Sequence, residues 1–341
     1  MVIIGGGPGG YEAALVAAQL GAEVTLIDRD GLGGSAVLTD CVPSKALVAA
    51  ATVPQTDTDL ATINTRIIEL AAAQSRDIAE RIRRDGVRIL VGTAHLVNAS
   101  TVSYHGCAAE EETIAADVIL LATGARPRML GAAAPDGERI LTWEQVYQLR
   151  EVPQRLIVVG SGVTGAEFAS AYLSLGSDVV LVSSRDRVLP GEDPDAAAVI
   201  EEVFQQRGMN VLNRARAESA CRTANGVLVT LTDGREIEGT HVLIAVGSLP
   251  NTDDLRLADV GVATDEGGFI EVDRVSRTSV RGVYAAGDCT GVNMLASVAA
   301  MQGRIAMWHA LGDTVHPLDL NTVSSTVFTD PEIATVGVSQ V

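Results

Sequence analysis

Cys41 stands four residues ahead of Lys45, the single lysine among the 25 lysines and arginines of the chain. Three roles are open to this thiol. It is a small buried hydrophobe, or a thiolate whose pKa is lowered by a helix N-terminus and by Lys45, or a sulfur that cycles through sulfenic acid in peroxide reduction. The other cysteines, Cys107, Cys221 and Cys289, are distant in sequence. The four together show no metal-ligand spacing and are too sparse for a disulfide scaffold, so no metal site is expected. Two glycine-rich runs offer a different chemistry. Gly5-Gly6-Gly7-Pro8-Gly9-Gly10 and Gly160-Ser161-Gly162-Val163-Thr164-Gly165 have the form of turns that present backbone N–H groups to phosphate.

Each run lies where a strand gives way to a helix. Val2-Ile3-Ile4 is a short buried strand, the glycines turn the chain, and Tyr11–Leu20 follows as a helix. In the spacing Gly5, Gly7, Gly10 the first glycine allows the tight turn, the second admits the pyrophosphate, and the third lets helix and strand pack closely. A second strand, Glu23–Ile27, ends in Asp28, roughly twenty residues on, where a carboxylate accepts from a ribose hydroxyl. The pattern then repeats. Strand Arg155–Val159 enters the second glycine run, a helix continues through Leu175, and strand Asp178–Val182 follows. Two copies imply two dinucleotides. The second copy ends not in an acid but in Ser183-Ser184-Arg185-Asp186-Arg187, whose hydroxyls and guanidinium groups suit a 2′-phosphate. NADPH is therefore favoured, with NADH tolerated.

Elsewhere the pattern is connective. Asp57–Asp85 has the period of a long amphipathic helix, with Ile63, Ile67, Leu70, Ile78 and Ile82 on its apolar face. Val227–Glu238 alternates and turns at Asp233-Gly234, a hairpin. The 341 residues suffice for more than one core, and the net charge of -18 repels nucleic acid and anionic membrane surfaces. The N-terminus lacks a basic region ahead of its apolar stretch, and no apolar run approaches the ~20 residues that span a bilayer. A cytoplasmic protein without integral membrane contact is expected.

The segment Gly33-Gly34-Ser35-Ala36-Val37-Leu38-Thr39-Asp40-Cys41-Val42-Pro43-Ser44-Lys45 resembles the redox-active segment of the flavoprotein disulfide reductases, the pyridine nucleotide-disulfide oxidoreductases. Members of that family, lipoamide dehydrogenase-like in pattern, carry two cysteines separated by four residues before Pro-Ser-Lys. Here Ala36 takes the first position. One sulfur cannot form the ring through which a dithiol relay works. Val118–Pro127, with its Ala-Thr-Gly, and Val242–Asn251 are similar to the family's exits from the two nucleotide domains. Val283–Asp288 is similar to the strand whose terminal acid holds the ribityl chain, and Leu295–Leu311 to the helix aimed at the flavin's pyrimidine end.

The resemblance implies an α/β protein with two Rossmann-like, three-layer ββα dinucleotide-binding domains and a truncated α+β interface domain. The FAD domain is discontinuous, 1–150 and 269–318; 151–268 binds NAD(P), and 319–341 opens the interface domain. Ser325–Ile333 matches that opening, and the chain is expected to be a fragment because Val341 falls inside an element that should continue. The whole protein is expected to be a homodimer. Implied flavin contacts are Gly5, Gly7, Pro8, Gly9, Asp28, Gly33, Ser35, Lys45, Ala94, Thr123, Gly124, Gly287, Asp288, Leu295 and Ala296. Implied contacts around the second dinucleotide are Gly160, Gly162, Val163, Thr164, Gly165, Glu167, Ser184, Arg185, Arg187 and Gly247.

Lys45, Glu167 and Cys41 are the implied catalytic residues. Lys45 pairs with Glu167 and holds positive charge near flavin N5, which favours the arrival of hydride. Cys41 is a flavin-facing sulfur dispensable for turnover. The implied activity is an FAD-dependent NAD(P)H dehydrogenase that passes hydride through the flavin to a small quinone without a redox disulfide. A dihydrolipoyl dehydrogenase-type disulfide reductase, a soluble transhydrogenase, a single-cysteine peroxidase and a non-catalytic flavin-binding protein are the alternatives.

Overall fold

A computed structural model describes residues 1–52, 59–106 and 111–339. Cys107 and the first two residues of the expected helix 57–85 lie outside the described residues. The chain divides into two compact units, one of Met1–Cys41, Ala71–Arg126 and Leu249–Val323, the other of Val42–Leu70, Pro127–Ser248 and Ser324–Val341.

The first unit is built on a seven-stranded sheet. Its parallel part runs in the order Val283–Ala285, Ile119–Leu121, Val2–Ile4, Thr25–Asp28, Arg88–Asn98. Thr101–Gly106 and Glu111–Ala115 then continue it antiparallel. The central strands are buried on both faces, which is why they are short, unbroken apolar runs rather than alternating ones. Ile3, Leu26 and Leu120 pack with Ala13, Ala14, Ala306 and Met307 of the helices Pro8–Gln19 and Ala296–Ala310. Ile4, Ile27, Ile119 and Leu121 face the other way, against Leu96, Val102 and Leu255. Strand pleating makes this division automatic, since neighbours point to opposite faces.

The second unit repeats the scheme with a five-stranded parallel sheet, Asn210–Leu212, Asp178–Val182, Arg155–Val159, His241–Ile244, Ile140–Thr142. One face, with Leu156, Val158, Val179 and Leu181, packs on Phe168 and Tyr172 of the helix Val163–Ser174. The other, with Ile157, Val159, Val180 and Val242, packs on Val227, Val229 and Leu231 of an antiparallel meander. Sheet, helix and meander are the three layers of a ββα domain. The expected hairpin is two strands of that meander, Val227–Leu231 and Glu236–Gly239. A hairpin of Ser324–Val327 with Ile333–Val336 completes this unit.

Several boundaries move. The first fingerprint helix starts at Pro8, not Tyr11, because proline's fixed φ suits a first helical position. Its second strand is Thr25–Asp28 and so includes the acid. The long helix is Leu60–Arg84. Ile63, Ile67 and Ile82 are buried as expected, but Leu70 is 50% exposed and Ala71 is buried in its place. The buried stripe steps from 67 to 71, four residues rather than three, as a period of 3.6 requires over several turns. A short helix, Gly34–Leu38, was not expected at all. Among the described residues no helix is long and apolar enough to cross a membrane.

Candidate flavin and coenzyme sites

The two fingerprints fold alike. Gly5 and Gly160 both adopt positive φ, 105° and 113°, as they leave their strands. A Cβ on Gly5 would collide with the Ala122 carbonyl, and one on Gly160 with the Ala245 carbonyl. A Cβ on Gly10 would collide with the Gly5 carbonyl, and one on Gly165 with that of Gly160. In each copy the helix is therefore drawn onto the strand end as tightly as backbone allows. Gly7 and Gly162 are the N-cap residues, and no side chain caps either helix. Space for a Cβ at Gly162 is open, and at Gly7 the nearest atom is 3.9 Å away. Two uncapped helix starts with open approaches fit two pyrophosphates. Val163 and Thr164 open the second helix, and Gly165 lies in its first turn.

Around the first fingerprint, Gly33 donates its N–H to the Gly6 carbonyl at 2.8 Å and adopts φ 99°, so the segment carrying Ser35 abuts the glycine turn. Asp28 is more committed than its sequence position suggests. Its Oδ2 accepts from Gly6 N–H at 2.7 Å, and its Oδ1 from Asp30 and Gly31 N–H at 2.9 and 2.7 Å. The carboxylate clamps both loops. Burial raises its pKa, against the lowering effect of these amides. Thr123 donates its hydroxyl to the Asn251 carbonyl at 2.7 Å, Asn251 Nδ2 donates to Thr123 O at 2.9 Å, and Gly124 O accepts from Asn251 N–H at 3.0 Å. Ala94, half-buried, lies opposite Tyr104 in the long strand.

Gly287 has φ 83° and donates its N–H to Gln302 Oε1, a buried partner that the sequence pattern did not single out. Asp288 opens the next turn. Burial, together with the charge of Asp40, pushes its pKa up to about 6. Leu295 is the N-cap of the helix that Ala296 begins, again without a side-chain cap. This first unit thus gathers Gly5, Gly7, Pro8, Gly9, Asp28, Gly33, Ser35, Thr123, Gly124, Gly287 and Asp288 at the carboxyl ends of parallel strands or in the turns and helix starts that follow. A dinucleotide is bound at such edges, and the donors present fit FAD.

Cys41 is the first residue of the helix Cys41–Thr52, and it is partly exposed. Ala36 lies within the Gly34–Leu38 helix. Among the described residues the other cysteines are Cys289, fully buried with its pKa pushed up to about 11 by burial, and the exposed Cys221 in the meander.

The second unit brings Lys45 and Glu167 together across 122 residues of sequence. Lys45 Nζ donates to Glu167 Oε2 at 2.8 Å and to Ser44 Oγ at 3.3 Å. The Glu167 side chain is 3% exposed and that of Lys45 31%. Glu167 Oε1 accepts the Phe328 N–H at 3.0 Å, and the Phe328 ring centroid lies 5.0 Å from Lys45 Nζ. Phe328 was not among the expected site residues. After the strand Asp178–Val182, Ser184, Arg185 and Asp186 are exposed. Arg187 is partly buried, with Nη2 directed at the Pro190 and Glu192 carbonyls at 3.3 and 3.5 Å. Gly247, φ 97°, is exposed and accepts from Arg128 N–H.

The family model described as pyridine nucleotide-disulphide oxidoreductase matches residues 1–303. The chain is 52% identical to an NAD(P)H dehydrogenase (quinone) of Mycobacterium tuberculosis, covering all of this chain and 74% of that protein. It is 34% identical to dihydrolipoyl dehydrogenase 2 of Haloarcula marismortui, covering 76% of it. Its fold superposes on the crystal structure of LpdA from Mycobacterium tuberculosis with a TM-score of 0.95 at 52% identity, over 99% of this chain and 78% of that one. The HOCl-induced flavoprotein disulfide reductase RclA of Escherichia coli gives a TM-score of 0.90 at 27% identity, over 99% of this chain and 77% of that one. Tandem glycine turns, the Lys45–Glu167 pair and a match over most of the chain converge: this chain belongs to the pyridine nucleotide-disulphide oxidoreductase family.

Proposed function

We propose that the protein is an FAD-dependent NAD(P)H dehydrogenase that transfers hydride from NAD(P)H to a quinone without a redox-active disulfide. The observation that carries this reading is Ala36 at the first thiol position, so that the segment 33–45 contains one cysteine where a dithiol relay needs two. The 52% identity to an NAD(P)H dehydrogenase (quinone) supports it. FAD, when bound, supplies the two-electron carrier between coenzyme and acceptor. The chain supplies binding and charge. Gly5, Gly7 and the Pro8–Gln19 helix start hold the flavin pyrophosphate, while Gly160, Gly162 and the Val163–Ser174 helix start hold that of the coenzyme. Thr123, Gly124, Asp288 and the start of the Ala296–Ala310 helix orient the flavin. Lys45, fixed by Glu167, keeps a positive charge where hydride arrives.

By the same reading, segments 1–150 and 269–318 form the FAD domain, 151–268 the NAD(P) domain, and 319–341 the start of an interface domain. On the same reading the protein acts in the cytoplasm and as a homodimer, and it prefers NADPH. Anaerobic reduction with NADPH, followed by mixing with menadione, lipoamide, glutathione disulfide or peroxide, tests the assignment. Rapid reoxidation by menadione alone is expected. Fast reoxidation by lipoamide or glutathione disulfide would return the protein to disulfide chemistry, and by peroxide to a single-cysteine peroxidase.

A further inference from the structure

We propose that Phe328 is a positioning residue for Lys45, its aromatic face holding the ammonium against Glu167 and so setting where that charge is presented. The proposal rests on the reading of Lys45 as the charge that favours hydride arrival.

An ammonium on a four-carbon stem carries three donors and considerable rotameric freedom. One short bond, to Glu167 Oε2 at 2.8 Å, does not fix it, and the contact with Ser44 Oγ at 3.3 Å is weak. The Phe328 ring, 5.0 Å away at its centroid, is within the ~6 Å over which an aromatic face attracts a cation. The same residue reaches the other member of the pair by a different group, since its backbone N–H donates to Glu167 Oε1 at 3.0 Å. Phe328 therefore touches both charges at once.

The ring cannot swing away cheaply, because its segment is anchored on either side, by the pairing of Val327 with Ile333 before it and by Asp330 after it. Asp330 N–H donates to Ser170 Oγ at 3.2 Å. Glu167 and Ser170 are three residues apart on the Val163–Ser174 helix and share a face. Past the strand end at Val327 the chain bends so that the amides of Phe328 and Asp330 both meet that face. Arg207 Nη1 donates to the Asp330 carboxylate at 2.8 Å and to its carbonyl at 3.1 Å. The Glu167 carboxylate is engaged at both oxygens, by Lys45 Nζ and the Phe328 N–H, and the ring adds to Glu167 and Ser44 a third neighbour that attracts the ammonium.

The ring's contribution separates cleanly from the amide's. Phe328→Leu keeps the backbone bond to Glu167 and most of the apolar volume but removes the aromatic face; Phe328→Tyr keeps the face. Because Lys45 is the only lysine of these 341 residues, this chain grown on ε-13C-lysine and loaded with FAD gives one side-chain resonance. In wild type and Phe328→Tyr that signal should show an upfield ring-current shift, lost in Phe328→Leu. Flavin reduction at saturating NADPH should slow roughly three- to thirtyfold in Phe328→Leu, the span of a cation–aromatic contact, with KM for NADPH unchanged and Phe328→Tyr close to wild type.

An unshifted lysine signal in wild type overturns the proposal, and this outcome needs no variant to fold. Equal reduction rates in wild type and Phe328→Leu also overturn it. If wild type reduces no quinone while the shift and the slowed flavin reduction both hold, the quinone reading fails and the role of Phe328 stands.

Discussion

The side-chain oxygens of Ser161 and Ser183 lie 2.7 Å apart with almost no exposure to solvent. Ser183 also accepts the Arg185 N–H at 3.2 Å and approaches the Arg185 and Arg187 carbonyls at 3.3 Å. The residue that follows the second coenzyme strand is thus consumed in tying the glycine turn to the next loop. On the proposed reading the coenzyme's 2′ position is left to the exposed residues that follow, Ser184 and Arg185, with Asp186 beside them.

Coenzyme choice should follow that division. Arg185→Ala is expected to raise KM for NADPH about tenfold, the value of a lost charge-assisted phosphate contact, and to leave NADH nearly unchanged. Arg187→Ala, which frees the Pro190 and Glu192 carbonyls, should weaken both coenzymes together. Steady-state KM values for the two coenzymes decide; an NADPH-selective loss in Arg187→Ala alone would reverse the assignment.

Lys45→Met leaves the Glu167 carboxylate buried with one amide partner. Losing one member of a buried pair costs about 3–5 kcal/mol, and the 31% exposure of the Lys45 side chain reduces this to about 1–3 kcal/mol. Flavin reduction by NADPH should fall about a hundredfold, as when one preorganised charge donor is removed, with FAD retained. Stopped-flow absorbance gives the rate and urea titration the stability. A rate within twofold of wild type would end the argument for Lys45.

Cys41→Ser should keep quinone turnover within about twofold of wild type, since no thiol–disulfide exchange lies on the path. Any long-wavelength charge-transfer band should vanish in the same variant, because a thiolate is its donor. Lost quinone turnover, with strong peroxide reduction in wild type, would make Cys41 the catalytic group.

Asp136 predicts a pH dependence of stability. Burial pushes its pKa up, but the Arg222 guanidinium and the N–H groups of Arg139, Ile140 and Glu138 outweigh burial and hold it well below the usual carboxylate range. The folded value is depressed, so the stabilisation is complete above the unfolded pKa of about 3.9 and is lost as pH falls toward the folded value. Asp136→Asn should cost about 1–2 kcal/mol at pH 7, a figure discounted for solvent screening at this half-exposed site, and progressively less below about pH 4. Urea unfolding at both pH values tests it; a difference that grows on acidification would contradict the sign.

The glycine turns were legible because Gly5, Gly10, Gly160 and Gly165 encode backbone distances that no other residue permits. Lys45 with Glu167 was legible only through resemblance, since nothing local links positions 122 residues apart. Phe328 escaped for the same reason: its contacts depend on where a hairpin from the end of the described chain lands on a distant helix. Asp28 was found by position, yet its three amide bonds follow from the path of the loop, which spacing does not record. The Gly34–Leu38 helix is too short for any period to show. Leu70 was misplaced because a stripe of 3.6 residues alternates steps of three and four, and counting alone does not say which comes next.

Lys45 carries the one side-chain amine of these 341 residues, so an amine-directed reagent that modifies a side chain in this stretch modifies Lys45. Lys45 is engaged by Glu167, yet its side chain remains 31% exposed. An acylating label on a side chain therefore strikes the charged pair, and immobilisation through that amine silences the protein in proportion to how thoroughly it is done. With Cys41 and Cys107 replaced by serine, coupling through the exposed Cys221 avoids that loss, and the contrast in retained flavin reduction between the two attachments reads how much the one lysine matters.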